Sequence, residues 1–315
     1  MPRDGIADKP YVVGSSSNFW LWDPRSGWDL THPATPDAPR INPRLRLNCE
    51  ISNIYIDPVK TALVIIDMQN YSLSNALGVK VAPTVLKAEE TLIHSGIPAA
   101  RKANIQVIWL NWGLTEETLE KVPPGSIRVF GWKANCEEID YGMFSNSSPI
   151  GDSEIRVHCG EQPQARQPGT DLGEVQTSTG NRVAGRALMR DTWNTELHEP
   201  LLHVYKTGLS GPRPDVIIHK DRNSGLYDDE CDFAKYLVES GIRTLLFSGM
   251  NTDQCVMATL QDAHARGYDT VFLRDACATD SPDYAQQSAV FNCCINWGFV
   301  STCKELAKSA ELNAL

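Results

Sequence analysis

Apolar residues fall in short, nearly unbroken runs at two places in the chain. Thr61-Ala-Leu-Val-Ile-Ile ends on Asp67, and Ile105-Gln-Val-Ile-Trp-Leu ends on Asn111. Runs of this length without polar alternation are typical of strands buried on both faces. Between them, residues 83–102 carry Val85, Leu86, Leu92 and Ile93 at helical spacing, with Gly96 and Pro98 expected to end or kink the helix. The rhythm returns as strand 215–220, helix 229–240, strand 244–247, helix 253–266, strand 270–273, helix 283–296 and strand 299–302. Strand alternating with helix predicts βαβ units. The expected fold is a three-layer, doubly wound α/β sandwich with a mostly parallel sheet.

Two segments break the pattern. Residues 1–57 are rich in Pro, Ser, Asn and Trp and show no clean period, so they are expected to form an extended N-terminal arm tied down by Trp20, Trp22 and Trp28. Residues 113–212 have frequent Gly and Pro and few apolar runs beyond a helix expected near 114–121. Within a domain spanning 58–315, they are expected to be a lid-like insertion.

Composition narrows the class of protein. The chain has 315 residues, 42% hydrophobic and 22% charged, which is ordinary for a globular protein with a real core. The net charge is −10 and no Lys/Arg-rich run occurs, which argues against a nucleic-acid or anionic-membrane partner. No stretch approaches 18 apolar residues and the first twenty residues lack a signal-peptide pattern, so a cytoplasmic location is expected. The nine cysteines are scattered without a C-x-x-C pair and read as reduced thiols, most of them buried.

In open parallel sheets, ligands bind beyond the carboxyl ends of the strands. Asp67, Lys220 and the segment SGMNTDQC (248–255) all fall at such ends. Singly, each has an ordinary structural reading: a loop carboxylate, a surface lysine, a buried thiol. Together they form a coherent set. A thiol at a helix start can be ionised by free N–H groups and the helix dipole, a carboxylate can take its proton, and a lysine can hold that carboxylate ionised. Backbone N–H groups in the turn before Cys255 could receive an oxyanion.

The stretches VIIDMQN (64–70), Lys220 with NSG (223–225), and GMNTDQCVMATLQDA (249–263) resemble the isochorismatase-like cysteine hydrolases. The resemblance spans about 60–303. It implies Asp67 as base, Lys220 as its partner and Cys255 as nucleophile. It also implies a cis peptide at Met250–Asn251, with the N–H groups of Asn251 and Cys255 as oxyanion donors. A homo-oligomer, dimer or tetramer, is expected on the same ground.

Departures from the family sharpen the expectation. Nicotinamidases of this group carry metal-binding histidines after the second strand, where this chain has Leu110-Asn111-Trp112-Gly113-Leu114. No metal or other cofactor is therefore expected. Isochorismatases proper dispense with the cysteine, so Cys255 points to amide or ureide hydrolysis. Asn70, Tyr71, Asn111, Trp112, Trp193 and Ser224 are expected to bind substrate, and the N-terminal tryptophans to help shape the pocket. Other motifs fail: His198-Glu-Pro-Leu-Leu-His203 is mis-spaced for H-E-x-x-H and contains Pro200, and neither a nucleophile elbow nor a phosphate-binding glycine loop occurs.

The reading that results is a metal-independent hydrolase cleaving a non-peptide C–N bond of a small linear amide, carbamoyl or ureido compound through a cysteine thioester. The alternatives are a vinyl-ether hydrolase with an idle cysteine and a non-catalytic binding or scaffold protein of the same fold.

Overall fold

The computed structural model describes residues 9–130 and 166–312, so the middle of the expected insertion lies outside the described residues. Five N-terminal strands come first: β1 (Tyr11–Gly14), β2 (Phe19–Asp23), β3 (Gly27–Asp29), β4 (Leu45–Leu47) and β5 (Ile54–Ile56). The central strands follow as β6 (Thr61–Ile66) and β7 (Gln106–Trp112). A small antiparallel hairpin, β8 (Glu174–Thr177) and β9 (Gly180–Val183), comes next. The sheet resumes with β10 (Val216–Lys220), β11 (Thr244–Gly249), β12 (Asp269–Cys277) and β13 (Phe299–Ser301).

The six central strands are all parallel and lie in the order β10-β7-β6-β11-β12-β13. Counted along the chain this is 3-2-1-4-5-6, the doubly wound order, and its switch point lies between β6 and β11. Alternation along each strand feeds two cores. Ala62, Val64 and Ile66 pack with Phe233, Leu237, Val256 and Leu260 from the helices Asp232–Glu239 and Met257–Ala265 and the turn leading into the latter. Leu63 and Ile65 face the other way, onto Val85, Leu92, Ile97, Leu201 and Leu306. A helical layer thus covers each face, giving the three-layer α/β sandwich the sequence predicts.

Residues 83–102 form one continuous helical run rather than a broken one. Gly96 and Pro98 are absorbed by a wide turn over Leu92–Gly96 that leads into Ile97–Lys102, where the proline sits in the first turn and no N–H is missed.

Residues 11–56, expected as an extended arm, are a five-stranded sheet of order β1-β2-β3-β5-β4. It supplies Leu30, Leu45, Leu47, Ile54 and Ile56 to the second core. Trp20 donates to Asp269 Oδ1 at 2.6 Å, and His32 Nε2 lies 2.7 Å from Asp269 Oδ2, at the start of β12. That is the amino-terminal edge of the central sheet. The N-terminal tryptophans therefore pin this small sheet down and do not shape a pocket at the opposite, carboxyl edge. The loop after β4 also covers the free edge of β13, with Glu50 N–H donating to Val300 O and Ser301 Oγ to Asn48 O. Among the described residues no helix is long and apolar enough to cross a membrane.

Candidate active site

Four neighbouring strands, β10-β7-β6-β11, bring their carboxyl ends together. Asp67 follows β6, Trp112 ends β7, Lys220 ends β10, and Cys255 lies in the helical turn Thr252–Val256 after β11. Strand alternation would send Asp67 to the same face as Ile65. Instead its backbone is left-handed, with φ at 55°, a conformation Asp tolerates better than most residues. The carboxylate is found with Lys220 and Cys255 on the opposite face.

The contacts form a closed set. Lys220 Nζ lies 3.0 Å from Asp67 Oδ2 and donates to Arg222 O at 3.1 Å. The ammonium also sits 4.0 Å from the centre of the Trp112 ring, within the range of a cation–π contact. Asp67 Oδ1 accepts the Trp112 N–H at 3.2 Å, and the Asp67 carboxyl group is hydrogen-bonded with the Cys255 thiol. Asp67, Lys220 and Cys255 are all buried.

Gln69 was not singled out from the sequence, yet it fixes this arrangement. Its Oε1 accepts the Trp112 N–H at 3.0 Å, and its Nε2 donates to Trp112 O and Thr195 O, each at 2.8 Å. A buried amide three residues past a strand end was the available signal, since such a group requires partners.

The turn before Cys255 is tied down at both sides. Met250 N–H donates to Ile66 O at 2.9 Å and Thr252 N–H to Ala278 O at 2.9 Å. The Met250–Asn251 peptide between them is cis.

The remaining expected residues scatter around this centre. Tyr71 and Trp112 both pack on Phe130, with ring centroids 6.0 and 5.3 Å away. Asn70 Nδ2 donates to Trp193 O at 2.9 Å, which ties the segment at Trp193 to the turn after β6. Ser224 Oγ accepts the Leu226 N–H at 3.0 Å and shapes its own loop. Asn111 precedes Trp112 and so points to the other face of the sheet, where its fully buried amide has no hydrogen-bond partner among the described residues. The loop of Ser224 is tied to the turn of the nucleophile, since Gly225 N–H donates to Thr259 Oγ1 at 3.2 Å and that hydroxyl donates to Cys255 O at 2.8 Å. Among the described residues no cluster of His, Cys, Asp and Glu is arranged to hold a metal ion.

Burial dominates the electrostatics. It pushes the Cys255 thiol up to about 12, and the Lys220 ammonium and the Trp112 indole only partly oppose it. The helix start was expected to lower this pKa, but the desolvation of a sulfur inside the core outweighs it. The resting group is a neutral thiol. Asp67 is also raised by burial, against the pull of Lys220. A carboxylate of raised pKa is a stronger base for the neighbouring thiol proton.

Comparison with known proteins agrees with this architecture. The family model of the isochorismatase domain matches residues 156–294. The chain is 28% identical over 277 residues to the ureidoacrylate amidohydrolase RutB of Caulobacter segnis, covering 87% of this chain and 94% of that one. A cysteine hydrolase from Pseudomonas syringae pv. phaseolicola 1448A superposes with a TM-score of 0.51 at 19% identity, covering 87% of this chain and all of that one, a likeness of fold.

Proposed function

We propose that the chain, which is similar to isochorismatase-like hydrolases, cleaves a C–N bond of a small linear amide, carbamoyl or ureido compound through a thioester on Cys255. The observation that carries this reading is the buried contact of Cys255, Asp67 and Lys220 at the switch point of the sheet. The name of the ureidoacrylate amidohydrolase relative supports the bond type.

The chemistry follows from the contacts. As the sulfur attacks the carbonyl carbon, Asp67 takes the thiol proton, so that no free thiolate has to persist in the core. The N–H groups of Asn251 and Cys255 receive the oxygen that becomes negative. Collapse expels ammonia or an amine, which carries away the proton held by Asp67. Water then gives a proton to Asp67 and attacks the thioester, the acid leaves, and the proton returns to the sulfur. The Lys220 amino group, 3.0 Å from Asp67 Oδ2, offsets the buried charge on Asp67.

The test is ammonia release from nicotinamide, N-carbamoyl amino acids, 3-ureidoacrylate and biuret. Wild type is run beside Cys255→Ala, with chelator in half the wells. Release that ignores chelator and vanishes in the variant is the expected result. Release that persists in Cys255→Ala would overturn the thioester route.

A further inference from the structure

We propose that Thr259 is a positioning residue for the hydrolysis: its hydroxyl ties the turn of Cys255 to the loop after Lys220 and so keeps the nucleophile within reach of Asp67. The inference rests on the hydrolase reading above and adds to it a side chain that acts through other residues.

Thr259 is fully buried in the helix Met257–Ala265, about one turn after Cys255. A threonine hydroxyl inside a helix commonly returns to the carbonyl four residues back and stops there. Thr259 Oγ1 makes that bond, donating to Cys255 O at 2.8 Å, and with a lone pair left it also accepts the Gly225 N–H at 3.2 Å. One buried oxygen thus joins the backbone of the nucleophile to a loop 34 residues away in the chain.

That loop begins at the lysine. Lys220 Nζ donates to Arg222 O at 3.1 Å, and Cys231 Sγ donates to Gly225 O at 2.9 Å, so the loop is held along its length. Gly225 also lies against β7, where a Cβ would stand 2.6 Å from the Leu110 side chain. Leu110 O in turn accepts the Asp67 N–H at 3.1 Å. Gly225 is therefore a common point, with one side on the strand that holds the base and the other joined to the nucleophile through Thr259. The hydroxyl, rather than the bulk of the side chain, makes that joint. Valine fills the same space but leaves the buried Gly225 N–H without its acceptor. Serine keeps the hydroxyl and loses only a methyl group. Packing and positioning roles predict opposite orders for the two variants.

Alkylation of Cys255 by iodoacetamide tests this without turnover. The sulfur displaces iodide and its proton passes to the neighbouring base, so the rate reports how well thiol and carboxylate are aligned. Peptide mass spectrometry follows the reaction at Cys255 at neutral pH, and thermal melts establish that the variants fold. Thr259→Val should slow alkylation by about 10-fold, and Thr259→Ser should stay within about 3-fold of wild type. In Asp67→Asn protein no base remains to be aligned, and adding Thr259→Val should change the rate by less than about 2-fold. A serine variant slower than the valine variant, or the same loss with and without Asp67, would overturn the positioning role. A wild-type rate that Asp67→Asn leaves unchanged would instead overturn the pairing of base and nucleophile, and with it the hydrolase reading on which the inference rests.

Discussion

The Lys220 ammonium lies 3.0 Å from Asp67 Oδ2, with the two side chains only 1% and 6% exposed. Burial raises the Asp67 pKa, and Lys220 is the largest influence opposing it. Lys220→Met removes that opposition. The carboxylate should then protonate at a higher pH, and the acid limb of the pH–rate profile should move upward. Turnover at pH 7 should fall by about 10²-fold or more, the scale of a lost general base. A profile whose acid limb stays in place would show that Lys220 does not control Asp67.

In the proposed mechanism Asp67 and Cys255 act on one proton, so their deletions should not add. Asp67→Asn keeps the shape of the side chain but cannot accept the thiol proton, and should cost about 10²- to 10⁴-fold in kcat. Cys255→Ala should abolish turnover, and the double variant should be no worse than Cys255→Ala alone. Steady-state ammonia release on the four proteins decides it. A further drop in the double variant would mean that Asp67 assists hydrolysis by a route independent of the thiol.

The alternation of apolar runs and helical spacings is set by burial on both sheet faces, and that is why the six strands and the positions of Asp67, Lys220 and Cys255 could be read from the chain. What could not be read depends on long-range geometry. The left-handed backbone of Asp67 is a single dihedral choice that leaves no periodic trace. The role of Gln69 exists only because β7 and the segment at Thr195 are brought alongside it. Residues 11–56 read as an arm because their strands are three to five residues long, too short to establish a period. The Cys255 pKa was misjudged because a helix start is visible in sequence, whereas the depth of burial that overrides it is not.

Gly249 is the end of β11, and a Cβ there would stand 2.1 Å from Ile66 O and 2.5 Å from Ile66 N. Its φ of 103° adds a backbone cost for any side chain. Ile66 directly precedes Asp67, so relief of the clash would have to displace the base. Gly249→Ala should lose about 3 kcal/mol or more of stability. Gly78 has φ 73° but open space around its Cβ position, so Gly78→Ala should lose only about 1 kcal/mol. Urea unfolding of the two variants separates close approach from dihedral strain, and equal losses would sink the distinction.

Among the described residues four thiols are buried in the core, and burial is the largest influence on each. Cys255 and Cys293 are pushed from 9.0 to about 12, and Cys277 and Cys303 well above 9.0. A pKa raised in the folded state means that the native protein keeps a proton the unfolded chain gives up. The resulting stability is complete below pH 9 and is lost as pH rises from 9 toward 12. Under reducing conditions the free energy of unfolding in urea should therefore be nearly flat from pH 7 to 8.5 and fall steeply beyond, by up to about 1.4 kcal/mol per pH unit for each thiol. Cys293→Ala should start from a lower stability because it leaves a cavity, and should show a shallower alkaline fall because one proton has been removed from the count. An alkaline slope identical to that of wild type would rule out Cys293 as one of the groups that hold this protein folded by staying neutral.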